Sequence, residues 1–163
     1  MARFMDINMP DKDFHLHNSF AFWIGRLAQQ MQEQFNRDLK EHDISWHQWA
    51  LLNVMLHGVA KTPAQAADAI GADRSTVTRM LDRLEKRGLT TREHDGLDRR
   101  VVKIALTKDA MALMTQLNQL AQAHQTQFLS ELPSTEYRSL RGSLVKMLRA
   151  GGVDATNLWQ RVN

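Results

Sequence analysis

The 163-residue sequence contains no cysteine, and this absence removes several kinds of mechanism. Disulfide bonds, thiolate metal sites and thiol-based redox sensing are all excluded. The sequence also lacks the patterns of enzyme chemistry, since it shows no nucleophile–base arrangement, no paired carboxylates and no glycine-rich phosphate loop. We therefore expect a protein that is not an enzyme and that needs no cofactor.

Long apolar runs are missing as well. The longest stretch without a charged residue, 110–130, is rich in glutamine, asparagine, threonine and histidine, so it does not resemble a membrane span. The N-terminus lacks the basic-then-apolar plan of a secretion signal. Hydrophobic residues make up 43% and charged residues 24%, which is ordinary for a soluble protein. We expect a cytoplasmic protein with no membrane partner, built as one domain or as a domain with a helical extension.

The most informative segment runs from Thr62 to Thr107 and begins with two short helical patterns joined by a turn. Thr62 is placed to cap the first helix, Pro63 suits its first position, and Gln65 completes a capping box. Asp73 is a good cap for the second helix, which is predicted over residues 74–87 and ends before Gly88. This order predicts a helix-turn-helix whose second helix enters a DNA groove.

Helical geometry sorts the second helix by face. Its inward face is predicted to be Val77, Met80, Leu81 and Leu84. Its DNA-facing and flanking residues are predicted to be Arg74, Ser75, Thr76, Thr78, Arg79, Arg83 and Lys86. Arg79 could pair with guanine, and the three hydroxyls could meet thymine methyls or phosphates. The alternative interpretation is a solvated charged face without a ligand.

A hairpin follows the second helix, with strands predicted over residues 89–93 and 101–106. Its loop contains Asp98, Arg99 and Arg100. An arginine pair on an exposed loop suits a narrow minor groove, and Asp98 could hold Arg100 in one rotamer. The alternative is a hairpin with an internal ion pair and no ligand.

The distribution of charge agrees with this location. Residues 71–103 hold nine Lys/Arg and six Asp/Glu, a net charge of +3, whereas the other 130 residues hold twelve of each. The whole positive excess therefore lies in the predicted DNA-binding segment.

Helices with apolar seams flank this segment. One is predicted over residues 13 to about 41, with its seam at Phe20, Ile24, Leu27, Met31, Phe35 and Leu39. A second, after Thr107, has its seam at Met111, Met114, Leu117, Ala121, His124 and Phe128. A last stripe contains Tyr137, Leu140, Leu144, Met147 and Leu148. These seams predict a homodimer, although the first and last helices could instead pack together within a monomer.

Three segments stand out when the sequence is taken as a whole: ISWHQWALLNVM (44–55), LDRLEKRGLTTRE (81–93) and DRRVVKIALTKDA (98–110). Together they resemble the MarR family of bacterial transcriptional regulators. The resemblance implies a mainly α protein with a small β-hairpin wing: a winged helix-turn-helix domain over 44–106, a helical dimerisation region over 1–43 and 107–150, and a tail over 151–163 without an assigned role. It also implies a homodimer on a pseudo-palindromic promoter site in double-stranded DNA, with Arg100 in the minor groove and Asp98 orienting it. Ala110 stands where the family commonly has glycine.

The resemblance further implies a cleft for a small aromatic carboxylate between the dimerisation helices and the DNA-binding domain. By position, the candidate ligand residues are Arg26, Ser45, His47, Trp49 and Trp23, with Trp46, His57 and Met31 as further candidates. Arg26 would bind the carboxylate. The alternative is structural: Trp49 in the core, Ser45 as a helix cap and Arg26 as a surface ion-pair partner.

The function that we expect is that of a sequence-specific DNA-binding regulator, and more specifically a repressor released by an aromatic ligand. Regulation that is activating, anti-silencing or independent of a ligand is an alternative, and so is a winged-helix module that binds protein. Metal sensing is disfavoured, because the seven histidines form neither His-x-x-x-His nor His-Glu-x-x-His.

Overall fold

The computed structural model describes residues 15–94, 96 and 101–153. Its order is α1 (Phe20–Asp38), α2 (Trp46–Leu56), α3 (Pro63–Ile70), α4 (Arg74–Lys86), β1 (Thr90–His94), β2 (Val102–Leu106), α5 (Lys108–Leu129) and α6 (Ser134–Ala150). Single 3-10 turns precede and follow α1 at Leu16–Asn18 and Lys40–His42. The predicted fold class, mainly helical with one antiparallel hairpin, is confirmed.

The predicted helix caps are present. Ser45 and Gln48 form a complete capping box at α2, and Thr62, Asp73 and Thr107 each accept a backbone N–H at the start of α3, α4 and α5. One detail differs from the prediction: the side chain of Gln65 reaches past Thr62 and accepts the backbone N–H of Lys61 at 2.9 Å. At these four helix starts the capping residue therefore immediately precedes the helix that it caps.

The first long helix is shorter than predicted. α1 ends at Asp38, followed by a 3-10 turn and by Asp43 in the left-handed conformation with φ 51°. Its predicted start at Asp13 lies outside the described residues. Arg87, just after α4, donates hydrogen bonds to the carbonyl oxygens of His42 and Asp43. The end of α4 therefore supports the turn that separates α1 from α2.

The core lies where α2, α3, α4 and α5 meet the last turns of α1. Its fully buried large side chains include Leu39, Leu51, Leu52, Leu81, Leu84, Met114 and Leu117. The hairpin joins this core through the Ile104 side chain and through the Ile104 N–H, which bonds to the Lys61 carbonyl at 3.0 Å.

The seam of α5 differs from its predicted phase at its start. Ala110, Met114, Leu117 and His124 are buried, whereas Met111 is 47% exposed. Because residues three and four apart share a helix face, Ala110 rather than Met111 continues the buried row. The prediction that the seam begins at Met111 was therefore wrong, and the buried row begins at Ala110.

No residue of α6 is buried. Its apolar side chains Leu140, Met147 and Leu148 are exposed, as are Phe20, Trp23 and Leu27 on α1. Helices α1 and α6 thus leave apolar surface exposed in the single chain. This observation disagrees with the alternative that the first and last helices pack together within a monomer. Within the described residues, no helix is long and apolar enough to cross a membrane.

Candidate nucleic-acid interface and ligand cavity

Helix α4 has one buried face and one exposed face. Val77, Met80, Leu81 and Leu84 are buried, as predicted. Of the predicted DNA-binding residues on this helix, Thr76 is half-buried and the others are exposed: Arg74, Ser75, Thr78, Arg79, Arg83 and Lys86. The structure therefore presents these residues on the side of α4 that faces away from the core.

Asp73 organises the first turn of α4. One carboxylate oxygen accepts the Ser75 hydroxyl at 2.5 Å and the Thr76 N–H at 2.8 Å, and the other accepts the Thr76 hydroxyl at 2.6 Å. These hydrogen bonds, first from Ser75 and then from Thr76, hold the pKa of Asp73 well below its ordinary value of 3.8. The carboxylate is therefore ionised at neutral pH.

Hydrogen bonds within α4 also fix the side chains of Arg79 and Thr78. Arg79 Nη2 donates to the Ser75 hydroxyl oxygen at 3.1 Å, and the Thr78 hydroxyl donates to the Arg74 carbonyl at 2.9 Å. Because these bonds link positions four apart on one helix, the surface is ordered before any partner arrives.

Arg92 fastens the hairpin to α4. Its Nη1 lies 2.6 Å from Asp82 Oδ1 and 3.8 Å from Glu85 Oε2, and its Nη2 donates to the Thr78 carbonyl at 3.2 Å. The sequence interpretation assigned no role to Arg92. Its position on β1, opposite an acidic residue of α4, becomes visible only in three dimensions.

The tip of the hairpin carries the remaining predicted DNA-binding residues. The register pairs Thr90 with Leu106 and His94 with Val102, so the loop leaves the sheet between His94 and Val102. Asp98, Arg99 and Arg100 lie outside the described residues. Their predicted pairing and groove contacts stay predictions.

A cavity of about 350 Å³ lies between α1, the start of α2 and α5. It is lined by Met31, Phe35, Trp46, Trp49, Ala121, Gln122, His124 and Gln125. Phe35 meets Trp49 edge to face and stacks on His124, with ring centroids 5.0 Å apart in both pairs. An aromatic wall of this kind suits a planar apolar ligand.

Hydrogen bonds hold two edges of this cavity. Asn118 Oδ1 accepts from both Trp49 Nε1 and Asn53 Nδ2 at 3.1 Å, and Asn36 Oδ1 accepts the Trp46 N–H at 2.7 Å. His124 is 8% exposed, and its buried Nε2 has no hydrogen-bond partner among the residues that the structure describes. The sequence did not identify Asn118 and Gln125 as residues of this site. The position of His124 in the seam of α5 could have indicated that this part of α5 faces the cavity.

Of the five predicted ligand residues, only Trp49 lines this cavity. Arg26 is exposed on α1 and precedes Phe35 by about two and a half turns, so it points to the other side of that helix. It is therefore not the buried arginine that the carboxylate prediction required. No lysine or arginine is among the described lining residues.

The other three predicted ligand residues have different places. Ser45 caps α2, with its hydroxyl accepting the Gln48 N–H. His47 is exposed and meets the edge of Trp46. Trp23 is 56% exposed, and its Nε1 donates to the His17 carbonyl. The further candidates Trp46 and Met31 do line the cavity, whereas His57 follows α2 and is exposed.

The helix pair α3–α4 followed by a hairpin fastened to α4 defines a winged helix-turn-helix protein. Residues 42–101 match the family model described as the MarR family. A mutant of MarR from E. coli, in complex with operator DNA, is 28% identical with a TM-score of 0.73, and the match covers 78% of this chain and 92% of that one. The resemblance predicted from the sequence is confirmed, since the MarR-family model and solved structures of MarR from E. coli both match this chain.

Two further structures share the fold. BpsR from Bordetella bronchiseptica, described with regulation of its DNA binding by 6-hydroxynicotinic acid, is 24% identical with a TM-score of 0.77 over 83% of this chain and 96% of that chain. CouR from Rhodococcus jostii RHA1, bound to p-coumaroyl-CoA, is 22% identical with a TM-score of 0.74 over 83% of this chain and 95% of that chain.

Proposed function

We propose that this protein regulates transcription as a homodimer that binds a pseudo-palindromic DNA site. A small aromatic ligand releases the dimer from this site. The observation that carries the proposal is the face of α4, where arginines and hydroxyls are exposed opposite a buried apolar row. The related MarR structure with operator DNA supports the same choice of partner. Since a ligand that removes a protein from a promoter relieves repression, we propose that the protein acts as a repressor.

Within this proposal, the cations of α4 divide between bases and phosphates. Arg79 lies in the middle of the exposed face and bonds to Ser75, which supports a role in binding guanine in the major groove. Arg83 and Lys86 follow towards the end of the helix and suit phosphates. In the wing, Arg100 enters the minor groove with Asp98 orienting it and Arg99 beside it.

The proposed dimer uses the terminal helices. An α-helix with an apolar stripe and no buried residue has lost the main source of stability of helices in water, which is packing. A second copy that covers α6 and the first turns of α1 restores this packing. Two DNA-binding domains would then read two half-sites.

The proposed ligand occupies the cavity between α1, α2 and α5. The aromatic wall supports a planar ring, and the absence of lysine and arginine from the described lining removes the reason to require a carboxylate. The candidate effectors therefore include uncharged aromatic compounds as well as aromatic acids. A ligand that separates α1 from α5 would change the half-site spacing of the dimer and favour a form that does not fit DNA.

The first experiment selects binding sites from a pool of randomised duplexes with the full chain and then measures affinity against salt. We expect a two-fold symmetric motif. Arg79→Ala should lose preference at one base pair of each half-site, whereas Arg100→Ala should weaken all duplexes and lower the salt slope by about 1 per subunit. Arg37→Ala removes an exposed cation from α1 and serves as the matched control.

Two results would contradict the proposal. Selection that yields no motif would exclude sequence-specific binding. A monomer in analytical ultracentrifugation at micromolar concentration would exclude the dimer.

A further inference from the structure

The three hydroxyl groups on the exposed side of α4 have their protons committed. An ionised carboxylate and a backbone carbonyl only accept hydrogen bonds. Because Ser75 and Thr76 bond to the Asp73 carboxylate, and Thr78 bonds to the Arg74 carbonyl, each hydroxyl must be the donor. Each oxygen is left with lone pairs only.

Arg79 strengthens this arrangement at Ser75. A guanidinium group only donates, so the bond from Arg79 Nη2 uses one lone pair of the Ser75 oxygen. Ser75 thus donates to Asp73 and accepts from Arg79, and it retains capacity for one more donor. It has no proton left for a phosphate.

We propose that Asp73 is a specificity-determining positioning residue, which turns Ser75 and Thr76 into hydrogen-bond acceptors that read the amino groups of adenine or cytosine. This inference rests on the proposed DNA-binding function. In the major groove, adenine N6 and cytosine N4 are the donors, whereas guanine O6 and N7, thymine O4 and every phosphate oxygen are acceptors. The expectation that these hydroxyls meet phosphates is thereby replaced.

The substitution Asp73→Asn tests this polarity directly. The Ser75 hydroxyl and the Thr76 N–H share one carboxylate oxygen, so the amide oxygen of asparagine must stay there to cap the helix. The amide nitrogen then replaces the oxygen that faces the Thr76 hydroxyl, and it donates to that hydroxyl. Thr76 is released to donate outwards, while Ser75 and Thr78 keep their bonds.

The experiment selects sites from randomised duplexes with the wild-type chain, with Asp73→Asn and with Asp68→Asn. Asp68→Asn makes the same change of charge at an exposed position of α3. We expect Asp73→Asn to change one position of each half-site from adenine or cytosine to guanine or thymine, with the other positions unchanged. Asp68→Asn should keep the wild-type motif.

Base analogues give a second measurement. At the position assigned to Thr76, replacing adenine by purine, which lacks the amino group, should weaken wild-type binding about three- to tenfold and leave Thr76→Val unaffected. Thermal unfolding of each variant checks that α4 remains folded.

The outcomes separate the inference from the function on which it rests. A wild-type motif that Asp73→Asn leaves unchanged, or an analogue that weakens the wild type and Thr76→Val equally, overturns the role of Asp73 but not DNA binding. A wild-type selection without any motif overturns both.

Discussion

Arg92 on β1 and Asp82 on α4 form an ion pair of 2.6 Å that joins the wing to the helix proposed to read DNA. The other terminal nitrogen of Arg92 donates a hydrogen bond to the Thr78 carbonyl, so two contacts fix the orientation of the guanidinium group on α4. It also offsets the negative charge of Asp82 beside the proposed DNA-binding face. Arg92 therefore links the wing to α4 in addition to the contacts that Ile104 makes with the core.

Breaking this ion pair should loosen the wing. The two side chains are 25% and 47% exposed, so solvent weakens their attraction, and we expect a coupling free energy of only about 0.5–1 kcal/mol. Urea unfolding of Arg92→Ala, Asp82→Ala and the double variant measures it as a double-mutant cycle. Arg92→Lys is the matched control for charge alone. Strictly additive effects would show that the pair contributes no coupling.

Acid should remove the contribution of Asp73 to stability. Its pKa in the folded protein lies below the ordinary value of 3.8, so its stabilising effect is full above that value and disappears as the pH falls through the lower, folded pKa. The difference in free energy of unfolding between wild type and Asp73→Ala should therefore be largest near neutral pH and shrink below about pH 4. Urea unfolding at a series of pH values measures this difference, with Asp68→Ala as the control. A difference that does not depend on pH would show that ionisation of Asp73 does not contribute to the stability of the fold.

Thr90 carries a buried hydroxyl without a partner. The residue is 1% exposed, and its Oγ1 makes no hydrogen bond within the described residues. Thr90→Val replaces this hydroxyl by a methyl group of similar size, and we expect about 1 kcal/mol of added stability because a buried unsatisfied polar group is removed. Thr90→Ser keeps the hydroxyl and loses the methyl, so it should destabilise. A lower melting temperature for Thr90→Val would indicate a partner for that hydroxyl.

Ligand binding in the cavity should depend on Trp49 and not on Arg26. A panel of aromatic acids and their uncharged amides can be titrated by tryptophan fluorescence, because Trp46 and Trp49 line the cavity. A compound that binds should lose at least tenfold in affinity with Trp49→Ala, which removes a large aromatic contact surface. Arg26→Ala and Trp23→Phe, at exposed positions, should change little. Loss of binding in Arg26→Ala alone would restore the carboxylate assignment.

Much of the fold could be predicted from neighbouring residues. The caps at Ser45, Thr62, Asp73 and Thr107 act within one helical turn, and the faces of α4 follow from helical geometry. The boundaries were less accurate: β1 was predicted one residue early, and α1 was extended through a turn supported by Arg87. Helix ends of that kind depend on contacts from distant residues.

The proposed DNA-binding face and the proposed ligand cavity differ in how much of each the sequence could predict. A face of one helix is a local property, because the 3.6-residue repeat alone decides which side chains lie together. The cavity brings together α1, α2 and α5, so its lining depends on how those helices pack. Packing placed Phe35 and His124 around Trp49, and it left Arg26 on the opposite side of α1. The sequence by itself thus determined the helix caps and helix faces, which depend on neighbouring residues. The contacts between distant segments were decided by the tertiary structure, because the hydrophobic effect favours burial of apolar side chains from all parts of the chain together.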